Sequence, residues 1–111
     1  MQKLFKCAMD IGEQMLISGA EVYRVEESVN RMCRSFGAKR VDVFIITSSI
    51  VVTVHTEEGE TFTQTRRVTS TKFNIEKLHR LNALCREICQ TKLTAEEIYE
   101  KLEAELEEYG G

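Results

Sequence analysis

The sequence predicts an α+β fold in the order α-α-β-β-β-α-α, with a three-stranded antiparallel meander packed against helices. Three observations carry that expectation. Apolar residues recur at a period near 3.6 at both ends of the chain. Between them, residues 41 to 68 are rich in β-branched and aromatic side chains. The connections inside that stretch are short enough only for antiparallel neighbours.

The first helix rests on Leu4, Ala8, Ile11 and Met15, with Phe5, Gly12 and Leu16 beside them, and ends near Ile17. Ser18 stands three residues before Glu21, the spacing of a capping box, with Ile17 and Val22 as its hydrophobic staple, so a second helix is expected to open at Ser18. Its core stripe is Val22, Val25, Val29, Met32, Cys33 and Phe36, and Gly37 stops it. Strands follow at Val41 to Thr47, Ile50 to Thr56 and Thr61 to Val68, separated by Ser48-Ser49 and by Glu57 to Glu60 with Gly59 in the turn. Asn74 caps a third helix, with Phe73 and Leu78 as staple and Ile75, Leu78, Leu81, Cys85, Ile88 and Cys89 turned inward. Thr94 and Glu97 repeat the capping box before a last helix through Ile98, Leu102 and Leu106. Helices should cover one face of the meander, because Thr61, Thr63 and Thr65 are too polar for burial on both.

Composition narrows the function classes. The 111 residues carry 15 basic and 18 acidic side chains, a net charge of −3, and Glu96, Glu97, Glu100, Glu103, Glu105, Glu107 and Glu108 crowd the C-terminal end. A nucleic-acid partner is disfavoured, since phosphate binding needs a basic surface. Lys3, Lys6 and Asp10 interrupt any signal-peptide core, and the longest apolar stretch, Val43 to Val54, is far short of a membrane span, so a single cytosolic domain is expected over residues 1–111. Cys7, Cys33, Cys85 and Cys89 all fall in helical patterns and read as free thiols, three of them on the apolar side. No cofactor is called for. A zinc site at Cys85, Cys89 and His79 lacks the separated ligand pairs such sites use. Neither His55 nor His79 stands in a context that would activate a Ser or Cys nucleophile.

Polar residues at helical spacing supply the site candidates. Tyr23, Glu26, Glu27 and Asn30 fall on one strip beside the buried valines, where two carboxylates could divide acid and base roles or bind a cation or amino group. The plainer alternative is a solvated face with Glu27 paired to Arg31. Arg66 and Arg67 end the third strand, and alternation sends them to opposite faces, so one is expected inward beside Glu26 or Glu27, as an ion pair or as a clamp for a carboxylate ligand.

Leu16 to Glu27, with its Gly-Ala-Glu-x-Tyr-Arg-Val-Glu-Glu core, then Val43-Phe44 before the Ser48-Ser49 corner, Thr65-Arg66-Arg67-Val68, and Asn74 with Leu78, Leu81 and Asn82-Ala83-Leu84 resemble the N-terminal cytosolic domain of the threonine/serine exporter family. The resemblance runs from about Leu4 to about Leu106 and implies Gly19, Glu21, Tyr23, Arg24, Glu26, Glu27, Arg66, Arg67 and Asn82 as the family's motif positions. It also implies a domain at the cytoplasmic face of the membrane, joined to a membrane-embedded part or partner subunit that exports small amino acids or related organic acids on a proton gradient. The expected role is gating, substrate contact or assembly rather than catalysis. Its rivals are a hydrolase using Glu26 and Glu27 with Tyr23, and a pure assembly module, including a homo-oligomer. The tail Tyr109-Gly110-Gly111 suits a junction to such a partner.

Overall fold

The structure, a computed structural model, describes residues 1–46 and 48–109. Helices α1 (Gln2–Ile17) and α2 (Val22–Ser35) precede strands β1 (Ala38–Ile46), β2 (Ser49–Thr56) and β3 (Thr61–Arg67), and helices α3 (Ile75–Gln90) and α4 (Ala95–Tyr109) close the chain. The expected order holds. The sheet is an antiparallel meander in the order β1-β2-β3. Its first strand starts earlier than the β-branched run suggests, because Ala38 and Arg40 already pair with Thr56 and His55 across a register irregularity. Thr47, the expected end of that strand, and the tail residues Gly110 and Gly111 lie outside the described residues.

Alternation sorts the sheet into two faces. Ile50, Val52 and Val54 of β2 are wholly buried, paired with Ile45, Val43 and Val41 on one side and with Arg66, Gln64 and Phe62 on the other. The opposite face carries Phe44, Thr53, Thr63 and Thr65 and is uncovered, as the polar positions of β3 require. Thr53 and Thr63 share a hydrogen bond across it at 2.9 Å.

The helices form the second layer. Helix α1 is central and buries Phe5, Ala8, Met9, Ile11 and Met15. At Gly12 it comes so close to α2 that an added Cβ would lie 2.8 Å from Val29 Cγ2. Val25, Val29, Met32 and Cys33 form the buried stripe of α2, and Leu78, Leu81, Leu84, Cys85 and Ile88 that of α3. Val22 and Ile75, expected inside, are 44% and 62% exposed. Each is the first residue of its helix, and the buried stripe starts one turn later.

Two of the three expected caps form. The Asn74 side chain accepts from the Lys77 N–H at 3.0 Å, and Thr94 and Glu97 exchange reciprocal bonds at 2.8 and 3.1 Å. The Ser18 box does not. Ser18 terminates α1, the N-cap of α2 is Glu21, and neither side chain caps the helix. All four cysteines are free, and Cys7, Cys33 and Cys85 are buried. Burial pushes the Cys33 and Cys85 thiols up to about 12. Among the described residues, no helix is long and apolar enough to cross a membrane.

Candidate functional site

The corner between α1 and α2 is a Schellman motif. Gly19 N–H donates to Leu16 O at 3.1 Å and Ala20 N–H donates to Met15 O at 3.0 Å. Gly19 holds φ +94°, which a side chain would resist, and this is why Ser18-x-x-Glu21 terminates a helix instead of opening one. The β3–α3 connection is tied to the same corner. Lys72 N–H donates to Ile17 O at 2.7 Å and Asn74 N–H donates to Ser18 O at 3.1 Å. The Phe73 ring lies over Gly19, so that an added Cβ would sit 2.7 Å from Cδ1.

This docking brings the start of α3 against the start of α2 and encloses a cleft of about 260 Å³. Glu21 and Arg24 line it from the α2 side, His79 and Asn82 from α3, over a floor that includes Met15, Ala20 and Leu78. None of the four polar side chains has a hydrogen-bond or ion-pair partner among the described residues. Ser18, adjacent to the corner and wholly buried, leaves its Oγ without a partner among the described residues, as does Gln14 at Oε1 one turn earlier.

The opposite flank of α2 faces β1 across an open groove of about 600 Å³ lined by Glu26, Glu27 and Asn30 with Arg31 and Val41, Asp42 and Val43. Most of its polar groups have side-chain partners, inside the groove or beside it. Glu27 meets Arg31 at 3.7 Å, Arg34 Nε donates to Asn30 Oδ1 at 2.7 Å, and Asp42 lies 3.3 Å from Arg40 and 3.6 Å from His55. Tyr23 is 62% exposed and lines neither cleft.

Arg66 turns inward and Arg67 outward, as alternation dictates, but Arg66 does not meet Glu26 or Glu27. Its Nη1 donates to Asp10 at 2.7 Å and to Glu13 at 2.8 Å, and its Nη2 donates to Gln64 at 3.0 Å. Sheet order is the reason. β1 and β3 are opposite edges, with α2 over β1 and α1 over β3. Burial pulls the Arg66 guanidinium down, yet the hydrogen bonds and charges of Asp10 and Glu13 outweigh it and raise its pKa above the usual arginine value.

The structure thus divides the candidates. Glu21, Arg24 and Asn82 converge on one cleft, Glu26, Glu27 and Asn30 on the other, and Arg66 belongs to a clamp between α1 and β3. Sequence reasoning passed over Asp10 and Glu13, whose i, i+3 spacing on one flank of α1 was the available signal. The sequence offers His79 as a zinc ligand or as a base for a nucleophile, both disfavoured. It lies instead in the α2–α3 cleft, while the Cys85 thiol donates to Ser28 O at 3.8 Å. Among the described residues no group of three His, Cys, Asp or Glu could hold a metal ion.

Comparison with curated proteins and with solved structures gives no match. A family model described as "Putative threonine/serine exporter" matches residues 6–108, which include every residue of both clefts and of the Arg66 clamp. The chain therefore belongs to the threonine/serine exporter family.

Proposed function

We propose that this domain works at the cytoplasmic face of an amino-acid exporter and that the α2–α3 cleft is its working site, contacting either the transported small amino acid or the inner mouth of the membrane-embedded part. One observation supports the cleft over the larger groove. Glu21, Arg24, His79 and Asn82 converge there without partners among the described residues, whereas Glu27, Asn30 and Asp42 in the groove are held by neighbouring side chains. Polar groups left unpaired at the surface of a fold are the ones available to a ligand or partner. Gly19, Glu21, Arg24 and Asn82 are also four of the family-like positions, drawn together from the α1–α2 corner and from α3.

The test is export from threonine-loaded cells by the complete exporter carrying Glu21→Gln with Arg24→Gln. Export should fall about tenfold or more, because charge-assisted contacts to a ligand or partner are lost. The 111-residue domain with the same substitutions should keep its helical circular dichroism. Export equal to that of the unsubstituted protein would defeat the proposal.

A further inference from the structure

We infer that the α2–α3 cleft binds a free α-amino acid as its zwitterion, the ammonium against Glu21 and the carboxylate against Arg24, so that the domain carries an amino-acid site of its own, apart from any transport path through a membrane. The inference rests on the cleft assignment made above and chooses substrate contact over contact with the membrane part. Glu21, the N-cap of α2, and Arg24, in its first turn, line the same cleft, and they do not pair with each other within ion-pair distance. Opposite charges lining one cleft yet unpaired match a molecule carrying both charges on one carbon. A simple acid would leave its carboxylate near Glu21, and a simple amine would leave its ammonium near Arg24, each at a like-charge cost.

The rest of the cleft limits the ligand's size and shape. Met15 and Leu78 give an apolar floor for the α-carbon and a short side chain, and Asn82 across from them can both donate and accept, which suits a side-chain hydroxyl. At about 260 Å³ and with exposed charges at its rim, the cleft takes a small ligand at modest affinity, with a Kd of roughly 1 mM. Such a site would report the free amino-acid level to the protein that carries it.

The experiment is a titration of L-threonine into the isotope-labelled 111-residue chain, followed by amide NMR shifts. Saturable shifts should appear at Gly19 to Arg24 and at His79 to Asn82. L-threonine methyl ester, which lacks the carboxylate, and N-acetyl-L-threonine, which lacks the ammonium, should each bind about tenfold more weakly or not at all. Glu21→Gln and Arg24→Gln should weaken L-threonine binding by a similar factor, with unchanged dispersion elsewhere in the spectrum, while Glu58→Gln in the β2–β3 turn should bind normally. Absence of saturable shifts, shifts confined to other surfaces, or equal binding of the blocked derivatives would each overturn the inference. A chain that does not bind threonine, within an exporter that the double substitution disables, would overturn this inference and leave the proposed function standing, with the cleft acting through the membrane part.

Discussion

Replacing Gly19 with alanine tests the corner on which the cleft depends. The cost has two parts. An L-residue held at positive φ loses about 1–2 kcal/mol, and φ +94° lies beyond the left-handed region that Asn or Asp can share. The new methyl would stand 2.7 Å from Phe73 Cδ1, well inside the contact distance of about 3.5 Å or more between carbons. In a closed core such overpacking costs about 1–3 kcal/mol, but Phe73 is 69% exposed and can swing away, so the steric part should stay below about 1 kcal/mol. Together they give a loss of about 2 kcal/mol. For a chain of this size that lowers Tm by about 8 °C. Urea unfolding followed by circular dichroism should show the midpoint shifting at constant m. In a Phe73→Ala background the steric part should vanish while the backbone part remains. A Gly19→Ala domain within about 0.5 kcal/mol of the parent would refute both the corner geometry and the docking of Phe73 upon it.

Three further outcomes follow from the same structure. Thr94→Ala and Asn74→Ala should each lose about 1 kcal/mol of stability with their caps, whereas Ser18→Ala should be neutral or stabilising, because it removes a buried hydroxyl without a partner; a cap-sized loss at Ser18 in urea melts would contradict the Schellman assignment. A double-mutant cycle between Arg66 and Glu13 should give a coupling of about 1 kcal/mol, and one between Arg66 and Glu26 about zero; the reverse result would restore the partner expected from sequence. Cys33 and Cys85 have folded pKa values raised to about 12, above those of exposed thiols, so their stabilising contribution is complete below about pH 8.5 and is lost as pH rises towards 12. Unfolding free energy measured across that range should fall, and thiol labelling at pH 8 should reach Cys33 and Cys85 only when the domain is denatured.

Element order was legible because periodicity is a local property. Leu78, Leu81, Cys85 and Ile88 mark α3 wherever that helix packs, and the Thr-rich alternation of β3 says by itself that one sheet face stays open. The Ser18 corner misled because Ser-x-x-Glu fits a capping box and Gly after a helix fits a Schellman stop, and the two readings compete at the same residues. Backbone geometry decided it, since the glycine that permits positive φ stands immediately after Ser18. The site was legible only in part. Helical spacing puts Tyr23, Glu26, Glu27 and Asn30 on one strip of α2, and of these Glu26, Glu27 and Asn30 line the groove while Tyr23 does not; what faces that flank is set by which edge of the sheet α2 covers, and no local pattern encodes that. The same gap sent Arg66 to the wrong partner. The convergence of Glu21 and Arg24 with Asn82 depends on the bonds from Lys72 and Asn74 to the end of α1, which a one-dimensional reading does not contain.

The central claim is that the α2–α3 cleft, rather than the α2–β1 groove, is the working site, and the most direct test sets one residue from each against the other. Export from threonine-loaded cells should be compared for the complete exporter carrying Arg24→Gln and for the same protein carrying Glu26→Gln, at matched membrane abundance. The account predicts a loss of about tenfold for Arg24→Gln and near-normal export for Glu26→Gln. Normal export with Arg24→Gln together with loss from Glu26→Gln would contradict it and move the site to the opposite flank of α2.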